Sequence, residues 1–109
     1  MTIEFHTPHG AISEDIISYI KDNLMSCYHR DPEISRAEVY FRKNHNDDGN
    51  TAVCEVDLTV YGSSLMVYRT SDNFRKAAEE VVKEVNVRVD EWISQQKDPP
   101  DSITTTVRV

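Results

Sequence analysis

The sequence predicts an α+β domain with the element order β-α-β-β-β-α. Apolar residues alternate with polar ones through Cys54, Val56, Leu58 and Val60, which is the period of a strand with one buried face. Apolar residues recur every three or four positions in residues 16–28 and 78–92, which is the period of an amphipathic helix. These elements pack most simply as a four-stranded, mostly antiparallel sheet with both helices on one face.

The first half of the chain supplies a strand, a helix and a second strand. Residues 2–6 alternate as a short strand, and Ser13 is a good N-cap for the helix that follows. That helix ends at Asp31-Pro32, because proline disfavours helical geometry in the residue before it. Residues 34–43 form the next strand. Since a crossover of this kind is right-handed, the first two strands are expected to be parallel.

The second half supplies a hairpin and a long helix. Residues 44–50 are polar and predict a loop, and the strands on either side of Gly62-Ser63 predict a tight turn there. The second helix runs from about 72 to about 96, with Ser71 or Asp72 as its N-cap. Residues 1–96 are therefore predicted to form one domain, and residues 97–109 a C-terminal tail that either stays free or adds a strand to a sheet edge.

Composition excludes several classes of protein. The longest apolar runs have the length of a strand, so no membrane span is predicted, and the N-terminus shows no secretory signal. The cytoplasm is the expected location, which suits two unpaired cysteines, Cys27 and Cys54. Cys54 is predicted to be buried and Cys27 at most half exposed. A net charge of −7 argues against general affinity for nucleic acid but leaves room for a local basic patch.

Catalytic and metal sites find little support in the sequence. The loop residues His45, Asp47 and Asp48 lack the ligand spacing of a calcium loop, so a solvated turn is the preferred interpretation. No glycine-rich phosphate loop and no nucleophile motif is present. We therefore predict a protein that is not an enzyme, that needs no cofactor or metal and that has no small-molecule substrate.

The pattern resembles the hibernation-promoting factor and ribosome-associated inhibitor A family of bacterial ribosome-binding proteins, some of which are called sigma-54 modulation proteins. The resemblance covers residues 2–92 and depends on the order and length of the elements together with four stretches. These are Ile12-Ser13-Glu14, Ala37-Glu38-Val39-Tyr40-Phe41, the hairpin from Cys54 to Tyr68, and Ser71-Asp72-Asn73-Phe74 followed by Ala77-Ala78. Because the chain ends about a dozen residues after the second helix, it resembles the short form of the family.

The resemblance implies a fold similar to double-stranded-RNA-binding domains and a partner, the small ribosomal subunit with its 16S rRNA. Family members occupy the decoding region, where they exclude mRNA and tRNA and store idle ribosomes under stress or in stationary phase. The expected function is therefore that of a translation inhibitor.

The resemblance also implies that basic residues on the two helices meet the RNA. The candidates are Lys21, Arg30, Arg75, Lys76, Lys83 and Arg88. Family members tend to carry lysine at two places where this chain has Asn23 and Ser26. Lys21, Arg30, Arg75 and Lys76 lack a helical carboxylate partner in the preferred order, so we expect these four to make the better phosphate contacts.

A second interpretation of the same basic residues stays open. Glu79 and Lys83, like Glu84 and Arg88, have the i,i+4 spacing of ordinary surface ion pairs. The chain would then be an acidic, divergent relative that no longer binds ribosomes and acts as a protein-interaction module, with homodimerisation through the open sheet face or the C-terminal strand. Tyr40, Tyr61 and Tyr68 could stack on bases, although cross-strand packing is the preferred interpretation.

Overall fold

The computed structural model describes residues 1–7, 12–46 and 49–97, and confirms the predicted element order. The side chains of residues 44–46, 49, 50, 96 and 97 are outside this description. The elements are β1 (Thr2–His6), α1 (Glu14–Arg30), β2 (Ile34–Asn46), β3 (Gly49–Val60), β4 (Ser63–Ser71) and α2 (Phe74–Lys97). The predicted tail lies outside the described residues from position 98 onward. No described helix is long and apolar enough to cross a membrane.

The four strands form one sheet in the order β1-β2-β3-β4. β1 pairs with β2 in parallel, as the crossover through α1 requires, and the other two pairings are antiparallel. The predicted mixed topology is therefore confirmed. The register places Ala37 beside Ile3 on one side and beside Leu58 on the other, so these apolar side chains share one face of the sheet.

Both helices cover that one face and close a single hydrophobic core. α1 contributes the stripe that the sequence predicted, with Ile20, Leu24 and Cys27 at most 1% exposed. α2 contributes four buried alanines and valines in its first turns and Val85 and Val89 further on. The sheet contributes the residues that alternate inward, with Phe41 edge-on against Phe74 of α2 at a ring separation of 5.6 Å. The other face of the sheet carries no helix among the described residues.

Both hairpin connections differ from the sequence prediction. The ladder between β2 and β3 continues through Asn44↔Thr51 to Asn46↔Gly49, so the predicted loop is wrong at residues 44–46 and 49–50, and residues 47 and 48 lie outside the described residues. These polar residues form strand because a ladder needs backbone groups and no apolar side chain. The turn between β3 and β4 is centred on Tyr61-Gly62 and not on Gly62-Ser63. Both residues have positive φ, 54° and 80°, as the type I′ turn of a tight hairpin requires.

The two helix N-termini are capped by side chains, one of them at an unexpected residue. Ser13 caps α1 as predicted, accepting a 3.4 Å hydrogen bond from the Ile16 amide. In α2 the cap is Asn73, whose Oδ1 accepts from the Lys76 amide at 2.9 Å, so the assignment to Ser71 or Asp72 is wrong. Ser71 belongs to β4, which leaves the chain only Asp72 and Asn73 to turn from strand to helix.

Candidate nucleic-acid interface

The six predicted RNA-binding residues all lie on the helical layer. Lys21 and Arg30 belong to α1, and Arg75, Lys76, Lys83 and Arg88 belong to α2. The helices contact each other where the Cys27 thiol donates to Asn86 Oδ1 at 3.6 Å. Arg30 lies three residues after Cys27 on α1, and it contacts Asp90, which lies four residues after Asn86 on α2. The helices therefore run in the same direction at this contact, and their outer faces adjoin.

Arg30 ties the two helices together. Its guanidinium forms an ion pair with Asp90 and donates a 2.7 Å hydrogen bond to Asn86 Oδ1. It also donates to the Cys27 sulfur at 3.4 Å. The prediction considered only carboxylate partners at i,i+4 spacing within a helix, so it did not include Asp90 on α2. The sequence carries no local signal for the pair, because Asp90 is 60 positions away.

Arg75 and Arg88 are held by carboxylates of α2 itself. Arg88 Nε lies 2.9 Å from Glu84 Oε2, which confirms the predicted i,i+4 pair, and Arg69 of β4 reaches the same carboxylate at 3.1 Å. Arg75 lies 3.8 Å from Glu79. In this pair the arginine precedes the glutamate, which is the reverse of the preferred order that the prediction considered. The predicted pair of Glu79 with Lys83 is not formed. The positive charges of the arginines on this layer are therefore partly neutralised by neighbouring carboxylates.

The lysines behave differently from the arginines. Lys21, Lys76 and Lys83 are exposed, and within the described part of the chain none of their ammonium groups has an ion pair or hydrogen bond. Lys76 and Lys83 stand seven residues apart on α2, so they share one face of the helix. Val87, 49% exposed, continues this stripe. The helical layer thus offers three lysines that could meet phosphates without first breaking a contact.

The first turn of α2 concentrates positive charge at the positive end of a helix dipole. It contains Arg75 and Lys76 and no acidic residue. Lys43, three residues before the end of β2, lines a shallow cavity of about 270 Å³ beside this turn, together with Asp72, Asn73 and Phe74. The sequence did not single out Lys43, since only the β2–β3 ladder brings it next to the helix. Cations at this position disfavour the helix and favour a bound anion.

The open face of the sheet has the opposite charge character. It carries the carboxylates of Glu4, Glu38, Glu55 and Asp57, with Arg36 and Arg42 as its paired arginines. The Arg36 guanidinium holds the pKa of Glu38 below its usual value, and burial raises the pKa of Tyr40. An acidic face of this kind repels phosphate, so the helical layer is the better candidate for RNA.

The tyrosines expected either to stack on bases or to pack across strands are engaged in different ways. The Tyr40 ring stacks on His6 with ring centres 4.5 Å apart, and the Tyr40 hydroxyl donates a hydrogen bond to Glu38. Tyr61, in the turn, contacts the Trp92 ring at 6.1 Å. Tyr68 is 58% exposed on the acidic face. Packing against neighbours therefore explains two of the three.

Neither cysteine is placed for chemistry. Cys54 is buried as predicted, and burial raises the pKa of its thiol to about 12. Cys27 is only 1% exposed, which agrees with the prediction that it is at most half exposed, and burial raises the pKa of its thiol too. In the segment predicted to be a solvated turn and not a metal site, Asp47 and Asp48 lie outside the described residues.

Comparisons with known proteins define the class at the level of the fold. The chain is similar to a ribosomal subunit interface protein from Coxiella burnetii, with a TM-score of 0.73 and 16% identity over 87% of this chain and 100% of that one. It is also similar to the N-terminal domain of Protein Y from Thermus thermophilus, with a TM-score of 0.67 and 16% identity over 84% and 99% of the two chains. No family model and no curated protein sequence matches the chain. The family resemblance seen in the sequence is thus matched by the fold of these proteins.

Proposed function

We propose that the protein is a ribosome-associated translation inhibitor, a member of the hibernation-promoting factor family that docks in the decoding region of the small subunit. The observation that carries the proposal is the fold, which a ribosomal subunit interface protein shares over its full length. The protein acts by occupying space and not by chemistry, which agrees with the two buried cysteines. Its place of action is the cytoplasm, where ribosomes are.

Docking proceeds through the helical layer, with Lys21, Lys76 and Lys83 as the principal phosphate contacts. Their ammonium groups are exposed and unpaired within the described residues, so binding costs no ion pair. Arg75 and Arg88 join when a phosphate replaces Glu79 or Glu84. Such an exchange is cheap, because exposed ion pairs contribute only about 0–1 kcal/mol. Arg30, with three partners, is the least free of the six.

A second candidate function is that of an acidic protein-interaction module that no longer binds ribosomes. It is favoured by the ion pairs on the helical layer, where every described arginine is held by a carboxylate. It is also favoured by the exposed Met66 and Tyr68 on the open sheet face, a surface through which two copies could pair. In the first function the unpaired lysines contact ribosomal phosphates, and in the second function they do not.

The discriminating experiment is co-sedimentation of the purified protein with bacterial small ribosomal subunits. A triple variant, Lys21→Gln, Lys76→Gln and Lys83→Gln, removes three charges from the helical layer. The matched control adds the same total charge to exposed positions on the open face: Thr2→Glu, Ser64→Asp and Thr70→Glu. Both proteins then have the same net charge, so any difference between them reports where the charge is.

The proposal requires that the wild type and the open-face control pellet with the subunit in equal proportion and that the lysine variant stays in the supernatant. Loss of binding in both variants would indicate an effect of net charge alone. If the wild type fails to pellet even at low salt, the ribosomal function is rejected and the interaction module takes its place, with sedimentation equilibrium of the free protein as the next measurement.

A further inference from the structure

Three potential metal ligands meet on the open face where β1 pairs with β2. The parallel register places Glu4 beside Glu38, and the alternation of β1 places His6 on the same side. His6 Nε2 lies 3.3 Å from Glu38 Oε1 and 3.9 Å from Glu4 Oε1. One ligand atom from each residue lies within 4.8 Å of the other two. All three side chains are partly exposed, so an ion can reach them from solvent.

The spacing of these atoms suits a small tetrahedral ion. Zinc binds imidazole nitrogen and carboxylate oxygen at about 2.0–2.2 Å, so neighbouring ligand atoms in a tetrahedron lie about 3.3–3.5 Å apart. The 3.3 Å distance from His6 to Glu38 meets that value, and the 3.9 Å distance from His6 to Glu4 has to shorten to reach it. The His6 ring is held by its stacking on Tyr40, at an angle of 10° and a centre separation of 4.5 Å. The ligand that most needs orientation is therefore already fixed.

A separate observation shows that negative charge exceeds positive charge in this neighbourhood. Asp57 stands directly opposite Glu38 on β3, and its buried Oδ1 has no hydrogen-bond partner. Like charges facing each other across a sheet are unfavourable. Arg36 contacts Glu4 at 2.6 Å and Glu38 at 3.5 Å, and it is the cation that the described residues provide for this row of three carboxylates. A dication would balance the remaining two negative charges.

We propose that Glu4, His6 and Glu38 form a binding site for a divalent transition metal ion of the zinc type, in which Arg36 competes with the ion for the two carboxylates. One imidazole with two carboxylates suits zinc and its neighbours better than magnesium or calcium, which prefer ligand sets made only of oxygen. Water completes the coordination. The bound ion would fasten the edge strand β1 to β2 and stabilise the sheet at its parallel pair.

The first test is zinc titration of the full chain, without an affinity tag and after treatment with a chelator, by calorimetry and by amide NMR. We expect one zinc ion per chain, chemical-shift changes centred on residues 2–6 and 36–40, and a higher midpoint of thermal unfolding. Magnesium at the same concentration should change none of these. Absence of zinc binding, or shifts centred elsewhere in the chain, would overturn the proposal.

Variants separate this site from chance binding by a surface histidine. His6→Asn should weaken zinc binding at least about tenfold, because a ligand matters no less than the outer partners whose loss costs about 10–100-fold. His29→Asn is the matched control: His29 is exposed at the end of α1, and its loss should leave the affinity unchanged. Glu38→Gln gives a second test of the ligand set. Equal affinity of the His6→Asn protein and the wild type would overturn the site.

Arg36→Gln tests the competition directly, since it removes the cation and leaves all three ligands in place. Zinc should then bind more tightly than to the wild type. Chance binding at exposed side chains would not respond in this direction. Affinity that falls or stays the same in the Arg36→Gln protein would overturn the competing role of Arg36. Far-UV circular dichroism of each variant establishes that the sheet is intact before zinc is added.

Discussion

At the scale of single residues, Arg30 and Lys21 show that two basic side chains on one helix serve different purposes. Arg30 makes contacts to Cys27, Asn86 and Asp90 that join α1 to α2. Lys21 is exposed and, among the described residues, unpaired. From the sequence alone, the two residues are equally good candidates for phosphate contacts. The contacts give Arg30 a structural role and leave Lys21 available to a partner.

We expect Arg30→Ala to lower the free energy of unfolding by about 1–2 kcal/mol, because hydrogen bonds to charged groups contribute about 1.5–3 kcal/mol and partial exposure reduces that. Urea denaturation measures the change. Lys21→Ala is the control in the same helix, and its effect should stay within about 0.5 kcal/mol. Equal stability of the two variants would show that Arg30 does not fasten the helices.

The two cysteines should be inert in the folded protein. The thiolate is the reactive form, and burial raises the pKa of Cys27 and takes that of Cys54 to about 12. A colorimetric thiol reagent at neutral pH should therefore find almost no reactive thiol in the native state and two per chain in denaturant. Rapid modification of one thiol under native conditions would mean that α1 opens away from the sheet at Cys27.

At the scale of elements, the sequence predicted what periodicity controls and missed what single backbone angles and distant partners control. Both amphipathic helices and all four strands follow from apolar spacing. The turn was misplaced by one residue because Tyr61 adopts a positive φ that its side chain does not favour. The α2 cap was misplaced because β4 extends through Ser71. The carboxylate of Asp90 could not be paired with Arg30 before the packing of the helices was known.

The N-terminus of α2 yields a prediction in which stability and binding change in opposite directions. A cation in the first turn opposes the helix dipole, and replacing it by an anion gains about 0.3–1 kcal/mol. The new carboxylate stands four residues before Glu80, and this like-charge pair costs about 0.2–0.5 kcal/mol, so Lys76→Glu should raise the free energy of unfolding by less than about 1 kcal/mol. The same change should weaken binding to the small subunit, because it removes a phosphate contact and adds repulsion. Denaturation and co-sedimentation of one preparation measure both effects.

Lys83→Glu is the control for that prediction, because it lies in the middle of α2. It gains nothing from the dipole and places a second carboxylate four residues after Glu79 and one before Glu84. We therefore expect Lys83→Glu to lower the stability slightly and to weaken subunit binding as Lys76→Glu does. If Lys76→Glu also lowers the stability, interaction with the helix dipole does not determine how a charge in the first turn affects stability.

At the scale of the whole molecule, charge divides the domain into two faces. The helical layer carries the unpaired lysines, and the open sheet face carries the acidic row of Glu4, Glu38 and Asp57. A protein with a net charge of −7 approaches RNA against overall repulsion, so binding depends on the orientation of the domain. The two proposed sites then lie on opposite faces of the sheet, and an ion bound by His6 would leave the helical layer free for the ribosome.

This division predicts a shallow dependence of subunit binding on salt. Each phosphate contact changes the logarithm of the association constant by about −0.7 to −0.9 per unit of log salt concentration, so three lysines give a slope of about −2 to −3. The Lys21→Gln, Lys76→Gln, Lys83→Gln variant should lose this contribution, so that the slope of any residual binding keeps only what Arg75 and Arg88 add. The open-face control has the same net charge as the lysine variant, but it should keep the wild-type slope, because counterions are released only where the protein contacts phosphates. Binding constants measured by fluorescence at several salt concentrations test this directly.

A slope that the lysine variant leaves unchanged would mean that the subunit is held by contacts other than the three lysines, and the arginines of α2 would then be the residues to vary.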